Sequence, residues 1–228
     1  MKKIYVSPSD QVKNAYAAGN TTEAIQCRRI ATLLVKALER QGFGAKTNLT
    51  GSMYERVKES DEFGADLHTC LHTNAYDEKP GEKEASGTRL FCYVMGGEGY
   101  KACKAVMARL APITPGTSDD ISARPELYEC RAAAAPTVYI EIDFHDVDEV
   151  AIWIINHTEE IAEAIAHGIC DYFGVEYKAP AQTSTQAPAH SDKLYRVQIG
   201  AYKKKENAEA QLAKAKQAGF SDAFITEA

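Results

Sequence analysis

The sequence predicts an α/β fold, a three-layer sandwich with a mainly parallel, twisted sheet flanked by helices, plus a small C-terminal β-α-β unit. Short apolar segments rich in β-branched residues alternate with longer segments whose apolar positions recur at helical spacing. Such alternation is typical of a mainly parallel sheet. The 228 residues suit one large domain with a small appendage, and the 45% hydrophobic content supports a proper core.

The elements follow one another with short connections and two longer irregular segments. Residues 20–22 provide polar side chains that can cap the first long helix, and Gly42 closes it. The expected strands are residues 3–6, 43–49, 66–75, 88–94 and 136–145; the helices are 23–41, 52–62, 100–110 and 148–173, the last with a break near 156–158; residues 76–86 are an exposed loop and 112–123 an irregular segment.

Composition divides the chain into three parts: residues 1–177 form the main domain, 178–192 a Pro/Ala/Thr-type flexible linker, and 193–228 the small unit. The net charge of −6 argues against non-specific nucleic-acid binding. No apolar run approaches the length of a membrane span. The six scattered cysteines and the absence of a signal-peptide pattern after Met1 predict synthesis in the cytoplasm with reduced thiols.

Two strands carry polar residues that a core would not choose. In residues 66–75, His68, Cys70 and His72 share one face, and the two histidines stand roughly 13 Å apart, too far to bind one metal ion. His72 is the better candidate because open α/β sheets bind ligands at the carboxyl ends of their strands. In residues 136–145, Glu141 lies in an apolar strand and shares a face with Asp143 and His145, which a strand end facing solvent would also explain.

Four segments, in order, resemble the catalytic domain of the zinc-dependent N-acetylmuramoyl-L-alanine amidases that cut bacterial cell wall. Ser7-Pro8-Ser9-Asp10 is similar to an Asp-Pro-Gly-His-like turn after the first strand, and Glu23 opens the first long helix. Leu71-His72-Thr73-Asn74-Ala75 resembles an Ile-His-x-Asn-Ala strand end. Residues 136–144, with Glu141, resemble the pattern Pro-x-Val-x-x-Glu-x-x-Phe. Each motif is short, and the ordered set carries the resemblance.

The resemblance implies a Zn²⁺ cofactor held by Glu23, His72 and Asp10, with Glu141 as the general base and acid. Zinc with three protein ligands keeps a position for water and lowers its pKa to about 7. The bond cut would be the amide between the lactyl group of N-acetylmuramic acid and L-alanine. Asn74 and Arg131 are predicted to bind the substrate.

Asp10 departs from the family, which has a ligand histidine there. Three interpretations remain open: Asp10 is the third ligand, His145 or another loop histidine replaces it, or the site has two ligands and binds metal weakly. Oxygen-rich coordination would also loosen the preference for zinc over other divalent ions. The corresponding alternative function is a catalytically impaired amidase-fold protein that binds cell wall. A zinc carboxypeptidase is disfavoured because no arginine motif for a terminal carboxylate is evident.

The residues after Lys193 resemble half of a SPOR repeat, in the segment 195–202 and the Lys-rich helix that follows. One β-α-β half is too small to bury a core alone, which predicts a homodimer formed through the C-terminal tails. The expected partners are therefore the glycan strands and stem peptides of peptidoglycan, with no nucleic acid and no membrane. The protein would act at the cell wall after release, as an endolysin or autolysin.

Overall fold

A computed structural model describes residues 1–76, 87–180, 200, 202–217 and 224–226. Six strands form one sheet in the order β2-β1-β3-β6-β4-β5. The strands are β1 Lys3–Pro8, β2 Gly44–Thr47, β3 Leu67–Asn74, β4 Arg89–Cys92, β5 Asp120–Ala123 and β6 Thr137–Phe144. The helices are α1 Glu23–Arg40, α2 Met53–Phe63, α3 Glu98–Leu110, α4 Tyr128–Ala132, α5 Asp148–Asn156, α6 Thr158–Phe173 and α7 Lys205–Gln217, with a 3₁₀ turn at Ala111–Ile113.

The sheet is parallel except where β4 runs antiparallel to β6. This confirms the predicted fold class. Side chains of one face join the main apolar core with α1, α3 and α6, as Leu71 and Ile140 do. The opposite face carries a smaller cluster beneath α4, which includes Cys70 and Tyr139. Because side chains alternate along a strand, His68, Cys70 and His72 lie on this second face.

The helix ends have local causes that the sequence partly revealed. Helix α2 begins with a capping box between Ser52 and Glu55 and ends at Gly64, whose φ of 67° favours glycine. The expected side-chain cap of α1 is wrong, since Thr22 makes no capping bond. Instead, the backbone N–H of Glu23 donates to the carbonyl of Asn14 at 2.9 Å. The long 9–22 loop therefore supplies the start of α1.

Two short elements were not predicted from the sequence. Strand β5 lies inside the segment expected to be irregular, and α4 lies between that segment and β6. The interpretation of Asp143 and His145 as a solvent-facing strand end is also wrong, because both side chains are buried. Asp143 accepts hydrogen bonds from the backbone N–H groups of Gly87 and Gly116, which gives this carboxylate a structural explanation.

The chain divides into two compact units, Met1–Ala181 and Gln182–Ala228. In the second unit, helix α7 matches the predicted Lys-rich helix. The second strand of the predicted β-α-β unit, expected to start at residues 223–226, is not formed by the described residues Phe224–Thr226. Three predicted segments lie wholly or mostly outside the described residues: the loop 76–86 beyond Tyr76, the linker, and the first strand of the β-α-β unit, expected at residues 194–201. All six cysteines are free and buried. Within the described ranges, no helix has both the length and the apolarity that a membrane crossing requires.

Candidate active site

The parallel register of two central strands places His72 of β3 beside Glu141 of β6. Neighbouring strands are about 4.8 Å apart, so these side chains emerge side by side on the same face. The first residue of α1 completes the group, because His72 Nδ1 donates to Glu23 Oε1 at 2.8 Å. Three of the residues predicted from the sequence therefore meet at one end of the sheet.

The 9–22 loop holds Glu23 in place. Asn14 Nδ2 donates to Glu23 Oε2 at 2.8 Å, while His72 occupies the other carboxylate oxygen. Burial alone would raise the pKa of Glu23, but hydrogen bonds from His72, Ser9 and Asn14 lower it overall. Burial is the largest single influence on His72 and lowers its pKa, but the hydrogen bond to Glu23 and the charges of Glu141, Glu23 and Glu129 together raise the pKa overall. Without a metal ion, the two residues form a charged buried pair.

Glu141 has a different electrostatic environment. Its Oε2 is inaccessible to solvent and has no hydrogen-bond partner among the described residues. Burial raises its pKa to about 8; His72 and Arg124 favour the charged form, and Glu23 disfavours it. Two carboxyl groups at one site thus have pKa values moved in opposite directions, an arrangement that separates a charged ligand from a proton-carrying group.

Asp10 contacts a different partner. Its Oδ2 lies 3.6 Å from a terminal nitrogen of Arg56, and the Asp10 side chain is 41% exposed. The Arg56 side chain is buried, its Nε donates to Ser7 Oγ at 3.0 Å, and it also bonds the carbonyl of Gly51. Sequence analysis missed Arg56, although its helical phase beside Val57 and Ser60 on α2 placed it on the buried side.

His145 directly follows β6 and contacts the end of β3, next to the Glu23–His72 pair. Its Nδ1 donates to the carbonyl of Thr73 at 2.9 Å, and its ring stacks on Tyr16 with centroids 4.9 Å apart. The Tyr16 hydroxyl donates to Thr73 Oγ1 at 3.1 Å. Burial lowers the pKa of His145. His145 therefore fastens the 9–22 loop to the end of β3, with its Nδ1 engaged by backbone.

A second group of potential metal ligands lies deeper on the same face. Ligand atoms of His68, Cys70 and Glu129 all lie within 4.8 Å of one another, so they could hold an ion. They already form a hydrogen-bonded network: His68 Nε2 donates to Glu129 Oε1 at 3.1 Å, and Ser7 Oγ donates to the same oxygen. Burial raises the pKa of the Cys70 thiol, and Arg56 adds a positive charge nearby. This chemistry favours a structural network over a metal site.

The two predicted substrate-binding residues lie apart from each other along the chain. Asn74 ends β3, where its Oδ1 accepts the N–H of Ala75, directly after a register shift that follows His72. Arg131 lies on α4, donates to the carbonyl of Glu126 at 2.6 Å and covers the ring of Tyr128.

The residues present fit part of a metal shell. Glu23 and His72 offer an oxygen and a nitrogen at contact distance, and both have the chemistry that zinc prefers. Among the described side chains, the one group of three close metal donors is the His68 network, and Asp10 is not in it. Glu23 and His72 thus fit two ligand positions, while the Asp10 carboxylate is paired with Arg56.

Two family models together match most of the chain. A family model described as N-acetylmuramoyl-L-alanine amidase matches residues 9–171, and a model described as SPOR domain matches residues 177–227. Both resemblances found in the sequence are thereby confirmed. The chain is also 26% identical over 175 residues to an uncharacterised protein of Clostridium perfringens (strain 13 / Type A), covering 73% of this chain and 51% of that protein. The chain thus spans about half the length of this curated relative.

Solved structures share the fold at low sequence identity. The catalytic domain of CwlV, an amidase from Bacillus (Paenibacillus) polymyxa var. colistinus, has a TM-score of 0.68 at 16% identity, covering 77% of this chain and all of that one. AmiC2 of Nostoc punctiforme has a TM-score of 0.64 at 18% identity, covering 76% and 97%. The catalytic domain of the CD27L endolysin, which targets Clostridia difficile, has a TM-score of 0.56 at 17% identity, covering 75% and 98%.

Proposed function

Because the chain belongs to the N-acetylmuramoyl-L-alanine amidase family, we propose that it hydrolyses peptidoglycan at the amide between N-acetylmuramic acid and L-alanine. One observation carries this proposal: Glu141, with a buried and unpartnered carboxylate oxygen, stands beside the Glu23–His72 pair on adjoining elements. A purely structural carboxylate would be expected to have hydrogen-bond partners, as Asp143 has.

Glu23 and His72 are the residues that would hold a Zn²⁺ ion. When bound, zinc supplies Lewis-acid polarisation of the scissile carbonyl and an acidic water. The 9–22 loop fixes Glu23 through Asn14, so the carboxylate is oriented before any ligand arrives. His72 must give up the proton that it shares with Glu23, which makes metal binding stronger as pH rises.

Glu141 is the group that moves the proton. A pKa of about 8 keeps this carboxyl largely protonated at neutral pH and makes its ionised form a stronger base than an ordinary glutamate, so the ionised form can accept a proton and return it to the leaving amine of L-alanine. Its position next to His72 lets one carboxyl group serve both steps. Asn74 and Arg131 remain predicted substrate contacts, and Asp10 remains a predicted third ligand.

A second candidate function rests on Asp10. Its contact with Arg56 is compatible with a two-ligand site, and such a protein would bind cell wall without turnover. Zinc content and the release of L-alanine amino groups from purified peptidoglycan distinguish the two functions. Stoichiometric zinc with release of amino groups supports the hydrolase, whereas wall binding without release supports the alternative.

The tail supplies the wall contact in this proposal. The SPOR match over residues 177–227, within which helix α7 lies, supports wall binding by the tail, and we add to the proposal that two tails pair about a two-fold axis. The resulting homodimer would bind glycan strands and keep two catalytic units close to their substrate. Its site of action would be the cell wall.

The decisive experiment replaces Glu141 with glutamine, which keeps the shape and removes the acid–base group. We expect Glu141→Gln to release no L-alanine amino groups while retaining its fold and bound metal. The matched control is Glu39→Gln, a change at an exposed position on α1 that should leave the rate unchanged. Wild-type turnover by Glu141→Gln would refute the role assigned to this residue.

A further inference from the structure

Two ring–ring contacts and one cation–π contact connect the active site to an arginine at the edge of the sheet. The ring of His72 stacks on Tyr139 with centroids 4.4 Å apart, and Tyr139 lies 6.1 Å from Phe91 on the neighbouring strand. The guanidinium of Arg124 covers Phe91 at 5.0 Å from the ring centroid. The three rings form a continuous and largely buried series, which we call the aromatic floor: His72, Tyr139 and Phe91.

Arg124 is fixed at its backbone and accessible at its side chain. Its N–H donates to the carbonyl of Cys92 at 2.8 Å, directly after β5. Its Nε pairs with Glu126, and the side chain remains 45% exposed. Among the described residues, the two terminal nitrogens have no hydrogen-bond partner, so they can donate together to a planar anion.

Arg124 lies on the face of the sheet that carries Glu141. Phe91 is paired with Tyr139 across β4 and β6, so the two side chains share one face, and Glu141, two positions after Tyr139, shares it too. Because Arg124 packs on Phe91, its guanidinium lies over this face. Arg131, by comparison, covers Tyr128, outside the aromatic floor.

The spacing along β6 between Glu141 and Tyr139, the middle ring of the aromatic floor, matches one residue of a stem peptide. Tyr139 is two positions before Glu141, which corresponds to about 7 Å along a strand. An extended peptide advances about 3.5 Å per residue, so the residue after L-alanine lies at a similar distance from the scissile amide. In stem peptides this second residue is a γ-linked D-glutamate, with its α-carboxyl group either free or amidated.

We propose that Arg124 and the aromatic floor form a subsite that recognises the free α-carboxylate of the stem peptide's second residue. The inference rests on the proposed function and adds a substrate preference to it. Arg124 would bind the carboxylate through its terminal nitrogens while Phe91 holds the guanidinium plane. An amidated second residue offers no charge to pair with Arg124.

The test compares two synthetic muropeptides that differ only at that group, one with the α-carboxylate and one with the carboxamide. We expect the wild-type protein to cleave the carboxylate form with about tenfold higher kcat/KM, mainly through KM. Arg124→Gln should lose this preference, so that the kcat/KM values for the two muropeptides become equal. The matched control is Arg109→Gln, because Arg109 is 42% exposed and its Nε pairs with Asp171 on the other side of the domain.

A binding measurement separates failure of the subsite from failure of the proposed function. Calorimetry with the Glu141→Gln variant should show the same preference, and it should disappear in the Glu141→Gln, Arg124→Gln double variant. Equal affinity for both muropeptides, or a preference that persists without Arg124, would overturn the subsite. Arg124-dependent binding by a wild-type protein that cleaves neither muropeptide would support the subsite and refute the hydrolase.

Discussion

Replacing Glu141 with glutamine should change how the stability of the metal-free protein depends on pH. The pKa of this carboxyl is about 8 in the folded protein and 4.5 as the reference for an unfolded chain. Because the folded pKa is the higher one, the stabilisation is fully present below pH 4.5 and is lost as pH rises through 8. Between pH 4.5 and 7 the loss is about 3 kcal/mol, at 1.36 kcal/mol per pH unit. Glutamine does not titrate and escapes this loss.

Urea unfolding in the presence of a chelator measures the effect, with fluorescence of Trp153, the single tryptophan, as the signal. The difference in unfolding free energy between Glu141→Gln and wild type should shift by about 3 kcal/mol in favour of the variant from pH 4.5 to pH 7. Glu39→Gln should follow the wild-type profile. Parallel profiles for Glu141→Gln and wild type would show that Glu141 ionises freely, which would remove the electrostatic basis of its assigned role.

The remaining predictions concern the metal and the tail. His72→Ala and Glu23→Ala should each lose bound zinc after dialysis, whereas Cys70→Ser should retain it; zinc loss only in Cys70→Ser would move the metal to the deeper network. Asp10→Ala should lower zinc occupancy if Asp10 is the third ligand, and full retention would direct the search to another residue. Truncation after Tyr177 should convert a dimer to a monomer by light scattering and weaken wall binding more than cleavage of small muropeptides; a monomeric full-length protein at micromolar concentration would refute pairing through the tails.

The central strands were predictable because the pattern that indicates a strand is contained within each local sequence. β6 is rich in apolar and β-branched residues, so Glu141 within it is conspicuous, and β3 has apolar positions at Leu67, Cys70 and Leu71 followed by a polar end. The short elements were not predictable because their local sequences lack such a pattern. β5 reads Asp-Ile-Ser-Ala and α4 has five residues, so neither contains a full period of apolar side chains.

The meeting of Glu23 and His72 was predictable only through family resemblance. The two residues are 49 positions apart, and nothing local in either segment encodes their contact. The contact of Asp10 with Arg56 is equally long-range, and no motif announced it. Periodicity indicates which face of an element is buried, whereas the partner on that face depends on register and on the path of loops such as 9–22.

The free energy of the Asp10–Arg56 contact decides whether it prevents Asp10 from binding a metal ion. Asp10 is 41% exposed and its carboxylate lies 3.6 Å from the buried Arg56 guanidinium, so solvent screens the pair on the Asp10 side and its contribution is on the order of 1 kcal/mol. Arg56 does not depend on it, because Ser7 and Gly51 accept from the same guanidinium. Structural zinc binding by a complete set of four ligands in small peptides is worth roughly 10 kcal/mol, which is a few kcal/mol per ligand. The ion pair is therefore too weak to keep Asp10 from a metal held by Glu23 and His72. The geometry of the 9–22 loop, rather than Arg56, decides whether an aspartate can serve where the family has a histidine.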